Sequence, residues 1–287
     1  MIRISAFFRI ITITILSICL PTYLSFKVSL LPVASRLPIE YPLLMAINYF
    51  LASYLIGNLR YVLFSISLSY IISSIIATML AKYPLELFFS PLSAELALWS
   101  YILRNITFFS VIMSLPISLL AIFIGLYVYS STEMRSTRLP TLIISILMLL
   151  IASTSIISLA VDYNTYFQNM HSISRMEITI LNCNVTENQV LFSLTIHNHG
   201  SGRIYLQTLV YDLYSGNKLI NSTLEDFSYK PLVIESNSFI ERDLKLRVSS
   251  KYASLLHSKR LALKVWVFVK TPFGLHRRTL TFQLKAS

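Results

Sequence analysis

His197 and His199 stand two apart in a stretch of alternating polarity, so in an extended strand both imidazoles would point to one face. A zinc centre needs three or four donors at recognisable spacing, and His276 is the other histidine in a nearby predicted turn. Solvent-exposed turn histidines are therefore the expectation, with no metal and no cofactor. Glu225-Asp226 and Glu241 with Asp243 bring carboxylates together, as general acid–base chemistry requires. The first pair falls in a predicted loop and the second on the polar side of a predicted strand, so both read as solvated faces. No Gly-x-Ser-x-Gly, phosphate-binding loop or His-Glu-x-x-His occurs, and no catalytic residue is expected. Lys259-Arg260 and Arg277-Arg278 flank predicted strands, where they could meet anionic headgroups or a glycan, or could protect a sheet edge by charge.

Trp266 and Phe268 carry the sharpest expectation. If Leu261, Leu263, Val265, Val267 and Val269 face a core, the two aromatics point the other way and suggest a surface for docking against the membrane bundle, a partner or a second copy. A strand covered on both faces is the competing reading.

The elements that would position these residues split the chain. Mean hydropathy is +0.65, with 55% hydrophobic and 13% charged residues. Soluble domains carry about a quarter charged residues, so an integral membrane protein is expected. Leu139 to Val161 is a charge-free run that closes at Asp162, and beyond it the composition changes. The expected organisation is a transmembrane helical domain over 1–161, a stem over 162–174 and a β-domain over 175–287. There are nine Lys/Arg against four Asp/Glu through Val161 and fifteen against nine after it, with no basic block to suggest a nucleic-acid partner. Cys19 and Cys183 lie in different halves, which predicts neither a disulfide framework nor a metal cluster.

Four to five spans are predicted. Ile2 to Phe26 reads as an uncleaved anchor, since no small-residue cleavage site follows. Tyr41 to Gly57 is about the shortest run that crosses a bilayer, and either spans it or lies on its surface. Tyr61 to Ala81, Asn105 to Tyr129 and Leu139 to Val161 are long uncharged runs. Between Lys82 and Asn105, a helix start at Ser90-Pro91 and the spacing of Leu92, Leu96, Trp99 and Leu103 predict an interfacial helix, or a re-entrant segment. Pro116 should kink its span. With five spans, Arg3, Arg9, Arg60, Arg135 and Arg138 lie on the cytoplasmic side and Lys27, Arg36, Lys82 and Arg104 on the other. This sends the C-terminal domain to the extracytoplasmic side of the cell membrane. The sequons at Asn105, Asn184 and Asn221 fit that orientation, with Asn184 and Asn221 as N-glycosylation acceptors.

After Ser174 the pattern turns to period two, with Met176, Ile178 and Ile180, then Val190, Phe192, Leu194 and Ile196, on one face. Ile204 to Tyr214, Phe239 to Val248, Leu261 to Val269 and Arg278 to Leu284 continue it. A hairpin-type turn falls at Ser215-Gly216-Asn217, and one short helix is predicted over Lys251 to His257. About seven strands at regular spacing describe a β-sandwich.

The run LTIHNHGSGRIYLQTLVYDLYSGNKL, followed by PLVIESNSFIERDLKLRV and VKTPFG, resembles the late-embryogenesis-abundant, water-stress and hypersensitive-response (WHy) β-sandwich family. Asn198 matches the first Asn of its Asn-Pro-Asn, Tyr211 and Gly216 the long strand and its turn, Ser236 and Ser238 the small hydroxyl residues, and Gly274 the last turn. His199 and Gly200 stand where the family has Pro and Asn. The resemblance covers the last 110 or so residues. It implies a non-catalytic Ig-like sandwich that serves stress protection or scaffolding on membrane proteins. The chain is thus expected to be non-enzymatic, with the lipid bilayer and a protein partner or second copy as its contacts; a transporter or channel component is the competing class.

Overall fold

A computed structural model describes residues 2–31, 38–89, 95–133, 139–186, 189–249, 252, 261–272 and 274–284. The chain forms two compact units, Met1–Asn164 and Thr165–Ser287.

The first unit is a multi-pass helical membrane domain. Its helices are α1 (Ile2–Ser29), α2 (Glu40–Ile56), α3 (Leu59–Phe89), α4 (Glu95–Thr107), α5 (Leu115–Glu133) and α6 (Leu139–Ser174), with a π-helical segment, Phe108–Ser114, joining α4 to α5. Among the described residues, four stretches are long and apolar enough to cross a bilayer: Phe7–Ser29, Leu59–Phe89, Ser100–Ser131 and Leu139–Ser174. They present Phe64, Ile71, Leu120, Phe123, Leu142, Ile146 and Ile157 outward. Such a continuous apolar exterior suits lipid and not water.

Hydrogen bonds and packing fix the helix directions. Thr14 Oγ1 lies 2.8 Å from Ser65 Oγ, and Ser69 Oγ donates to the Ser17 carbonyl at 3.0 Å, so α1 and α3 run parallel. Asn48 Nδ2 donates to the same Ser17 carbonyl at 3.0 Å and Arg9 donates to the Leu55 carbonyl, so α2 runs opposite to α1. Tyr41 packs on Phe109 and Tyr54 on Tyr129, which makes α5 parallel to α2. Ile13 shares a core cluster with Met148, and Lys27 pairs with Asp162, which makes α6 parallel to α1. Along α1, α2, α3, α5 and α6 the direction therefore reverses four times. With 17 residues α2 is only about 25 Å long, and Met45, Tyr49, Ala52 and Tyr54 are buried among its neighbours.

Two tight features hold the bundle. Gly57 adopts φ 68° and donates its N–H to Ser53 O at 2.9 Å, ending α2 so that α3 begins two residues later. At Gly125 an added Cβ would lie 2.7 Å from the Phe50 carbonyl oxygen and would also strike Ser53 Oγ, so α2 and α5 meet backbone to backbone.

The segment between α3 and α5 departs from expectation. Lys82 to Phe89 continue α3, and α4 runs without a break into the span that starts at Ser100. Leu103 is outward, whereas Ile102 and Ile106 are the buried positions of α4. Ser90-Pro91 and Leu92 lie outside the described residues, as do the side chains of Leu96 and Trp99. Before Pro116 the helix widens: the Leu115 N–H donates to Ser110 O, five residues back. Ser114 Oγ donates to Phe109 O at 2.8 Å and to Ser110 O at 3.2 Å. A π-turn makes room for a proline ring that would clash with the carbonyl four residues earlier.

α6 continues past Val161 to Ser174, so the segment expected as a stem is helix; its 36 residues span about 54 Å. The second unit holds two antiparallel sheets. One has the order β1 (Met176–Thr186), β2 (Gln189–Asn198), β6 (Ser238–Arg247). The other has the order β4 (Lys218–Asp226), β3 (Ile204–Ser215), β7 (Leu261–Thr271), β8 (Gly274–Leu284), with β5 (Leu232–Ile234) also paired to β3. The Phe192 and Tyr211 rings meet edge to face at 5.6 Å, stacking one sheet on the other. Val190, Phe192, Leu194 and Ile196 from one sheet, and Leu261, Leu263, Val265, Val267 and Val269 from the other, are all buried. Gly216 takes φ 59° in the two-residue turn that joins β3 to β4. Of the short helix expected over Lys251 to His257, only Tyr252 is described, in a 3₁₀ turn.

Candidate functional site

Trp266 and Phe268 lie on the face of β7 opposite its five buried aliphatics, and both are half-buried. Register places Trp266 beside Val210 of β3 and Thr279 of β8, and Val210 beside Leu224 of β4. Leu224 is 60% exposed. An apolar row, Leu224–Val210–Trp266, thus crosses three strands on the outer face, with Phe268 between Thr208 and Arg277 next to it. Lys264 Nζ sits 5.0 Å from the Trp266 ring centre, a cation–π distance. Opposite Lys264 in register is Asp212, which is buried although it lies on this outer face. Its Oδ2 accepts from Tyr214 OH at 3.2 Å, while its Oδ1 has no partner. Burial, and then the Asp212 carboxylate, push the Tyr214 phenol up. Asp212, Val210 and Leu224 were not evident in the sequence; the alternation marks them as outward only once strand pairing is known.

The residues carrying the family resemblance divide into two groups. Asn198, Ser236 and Ser238 converge. Buried Asn198 donates through Nδ2 to the carbonyls of Gly202 (2.7 Å), Glu235 (2.9 Å) and Ile234 (3.2 Å), and accepts the Gly200 N–H at Oδ1 (3.0 Å). Ser236 Oγ donates to Gly200 O at 3.0 Å and Ser238 Oγ to Glu235 O at 2.7 Å. The cluster ties the β2–β3 turn to the β5–β6 turn and satisfies buried loop carbonyls that water cannot reach. Gly200 and Gly202 lie against Ser172, Gln168 and Asn169 of α6, too close for a side chain. Tyr211 stands apart on the inner face, its hydroxyl donating to Glu225 Oε1 at 3.3 Å. Burial, reinforced by that carboxylate, pushes its phenol up to about 12. Gly274 opens β8.

The remaining sequence candidates are engaged locally. The His197 and His199 rings stack at 5.5 Å, His197 also packs on Phe239, and His199 Nε2 lies 3.0 Å from Glu177 Oε2. His276 is on the inner face of β8, where burial and then the Arg278 guanidinium hold it below the usual imidazole range. Among the described residues no group of three or more His, Cys, Asp or Glu could hold a metal ion. Glu225 accepts from Tyr211, Asp226 caps a turn at Ser228, and Asp243 accepts from Ser193 Oγ at 2.5 Å. Lys259 and Arg260 lie outside the described residues. Asn184 is exposed, whereas Asn221 Nδ2 donates to Arg247 O at 2.5 Å. The third sequon residue, Asn105, donates to the carbonyls of Val28 and Leu31 inside the bundle.

No protein-family model matches the sequence, and no curated protein matches it. Similar solved structures include a late embryogenesis abundant (LEA) protein determined in solution, at 15% identity over 47% of this chain and 84% of that one, with a TM-score of 0.32. A protein from Archaeoglobus fulgidus is similar at 13% identity over 39% of this chain and 98% of that one, with a TM-score of 0.25.

Proposed function

We propose that this is a non-enzymatic integral membrane protein of the cell membrane that displays its β-domain on the extracytoplasmic side and acts by binding or scaffolding, as a subunit of a membrane complex. The observation that carries this reading is the outer face of β7. The row Leu224–Val210–Trp266 is apolar, and beside it lies a buried carboxylate with one oxygen still lacking a donor. Buried polar atoms are satisfied in nearly all proteins, so a partner that brings a donor to Asp212 while covering Trp266 would complete the face. The WHy-type strand pattern supports a scaffolding role. Replacing Trp266 and Phe268 with Ser is expected to weaken a partner co-purifying in mild detergent more than it lowers folding stability. The reverse order of effects would sink the reading.

Sidedness has its own support. Arg9 reaches the C-terminal end of α2, close in sequence to Arg60, while Lys27 and Asp162 meet at the opposite end of α1. Arg135 and Arg138, which precede α6 in the sequence, belong with Arg9 and Arg60 if direction alternates, and short basic connections favour the cytoplasm. A protease added to intact cells should remove a C-terminal tag. In a glycosylating host the glycan should appear at exposed Asn184 before Asn221, whose amide nitrogen is occupied. A protected tag would reverse the topology.

The π-segment Phe108–Ser114 favours one other reading, a transporter or channel component, because π-turns are local weak points in helices that must move. Substrate-dependent flux or current from the purified protein alone would select it.

A further inference from the structure

β1 and β8 are edge strands of different sheets, and between them the β-domain opens into a cavity of about 320 Å³. Arg175, Glu177, His199 and Arg278 line it, together with the apolar side chains of Ile178 and Leu280. Arg278 is an unusual occupant of its face. Its register partner on β7 is Val267 and its neighbour Leu280 pairs with Val265, and both valines are fully buried. The guanidinium therefore points between the sheets, and its Nη1 is buried without a hydrogen-bond partner. A charged donor left unpaired in a low-dielectric site is costly, more so than a neutral one. Glu177 lies at the same mouth, but its carboxylate is engaged by His199 at 3.0 Å.

We propose that this mouth binds a phosphate ester. The tetrahedral oxyanion offers oxygens in several directions, which suits donors arriving from two segments, Arg175 in the turn just before β1 and Arg278 on β8. The volume is about ten times the share of one water in the liquid, so it accommodates a headgroup-sized ligand and not just a bridging solvent molecule. Ile178 and Leu280 supply an apolar wall for the carbon part of the ester. An inward charge also discourages edge-to-edge pairing of β8, but that role is met by any charged side chain and requires neither the cavity nor the second arginine.

The test is a calorimetric titration of the full chain in phosphate-free maltoside micelles with glycerol 3-phosphate, using sodium chloride at matched ionic strength as reference. Saturable binding is expected, weakened by at least about tenfold in Arg278→Gln. Arg278→Lys, which keeps the charge and loses the fork, should fall between the two, and it substitutes for the glutamine variant if that fails to fold. Glu177→Gln should tighten binding by removing the competing carboxylate. A parallel arm with phosphatidic acid in the micelles and no free phosphate separates the sources: if this lipid blocks the glycerol 3-phosphate isotherm, the natural ligand is a headgroup, and if it does not, a soluble ester. Absence of saturable binding by the wild type in both arms, or equal affinity of wild type and the Arg278 variants, overturns the proposal.

Discussion

The side-chain amide of Asn48 donates to the backbone carbonyl of Ser17 at 3.0 Å, four residues before Pro21 within α1. Proline has no N–H, so that carbonyl lacks its ordinary helical partner. Asn48 of α2 takes the vacant place, and Ser69 Oγ of α3 donates to the same oxygen at 3.0 Å. Three helices are thereby pinned at one atom inside the bundle, where no water is available to substitute.

This convergence predicts non-additive mutational costs. Either Asn48→Ala or Ser69→Ala leaves one donor on the carbonyl and should cost about 1 kcal/mol or less, in the range measured for hydrogen bonds in membrane bundles. The double variant orphans the oxygen and should cost more than the sum, by about 1 kcal/mol. Pro21→Ala, which restores the backbone donor, should abolish that surplus. Detergent-unfolding free energies for the cycle measure it, and strict additivity would mean that Ser17 does not couple the helices.

The contact at Gly125 predicts a steric effect with no simple rescue. Gly125→Ala places a methyl 2.7 Å from the Phe50 carbonyl oxygen, and the overpacking should cost about 1–3 kcal/mol. Ser53→Gly removes the flexible neighbour but leaves the backbone oxygen, so the double variant should remain destabilised. A thermal midpoint that recovers fully in the double variant would show that the serine alone limits the approach.

Tyr211 predicts an alkaline stability step. Its phenol is raised from 10.0 to about 12 in the folded chain by burial and by Glu225, so the folded state holds that proton more tightly than the unfolded state. The corresponding stabilisation is fully present below about pH 10 and is lost as the pH rises through about 12. Tyr211→Phe should be less stable than wild type at neutral pH, because the bond to Glu225 is gone, and should lose less between pH 10 and 12. Denaturant midpoints across that window check it; parallel curves would remove Tyr211 as the titrating group.

The sequence by itself determined the two-part architecture, since lipid and a β-core impose different hydrophobic patterns that do not depend on what packs where. An uncharged run such as Leu139 to Val161 has few alternatives in a chain this apolar, and the alternation Leu261 to Val269 can face a core in only one way. Tertiary structure alone decided that Tyr41 to Gly57 packs inside the bundle, because a 17-residue helix is marginal by length and only its antiparallel bonds to α1 give its direction. It also decided that Lys82 to Asn105 belongs largely to the flanking helices. A periodicity read over a short window cannot distinguish an interfacial helix from the end of a span. The outer row through Trp266 and the mouth containing Arg278 follow the same logic. Val210, Leu224 and Asp212 come beside the tryptophan, and Arg175 beside Arg278, through strand register and sheet stacking between residues that are remote in the chain.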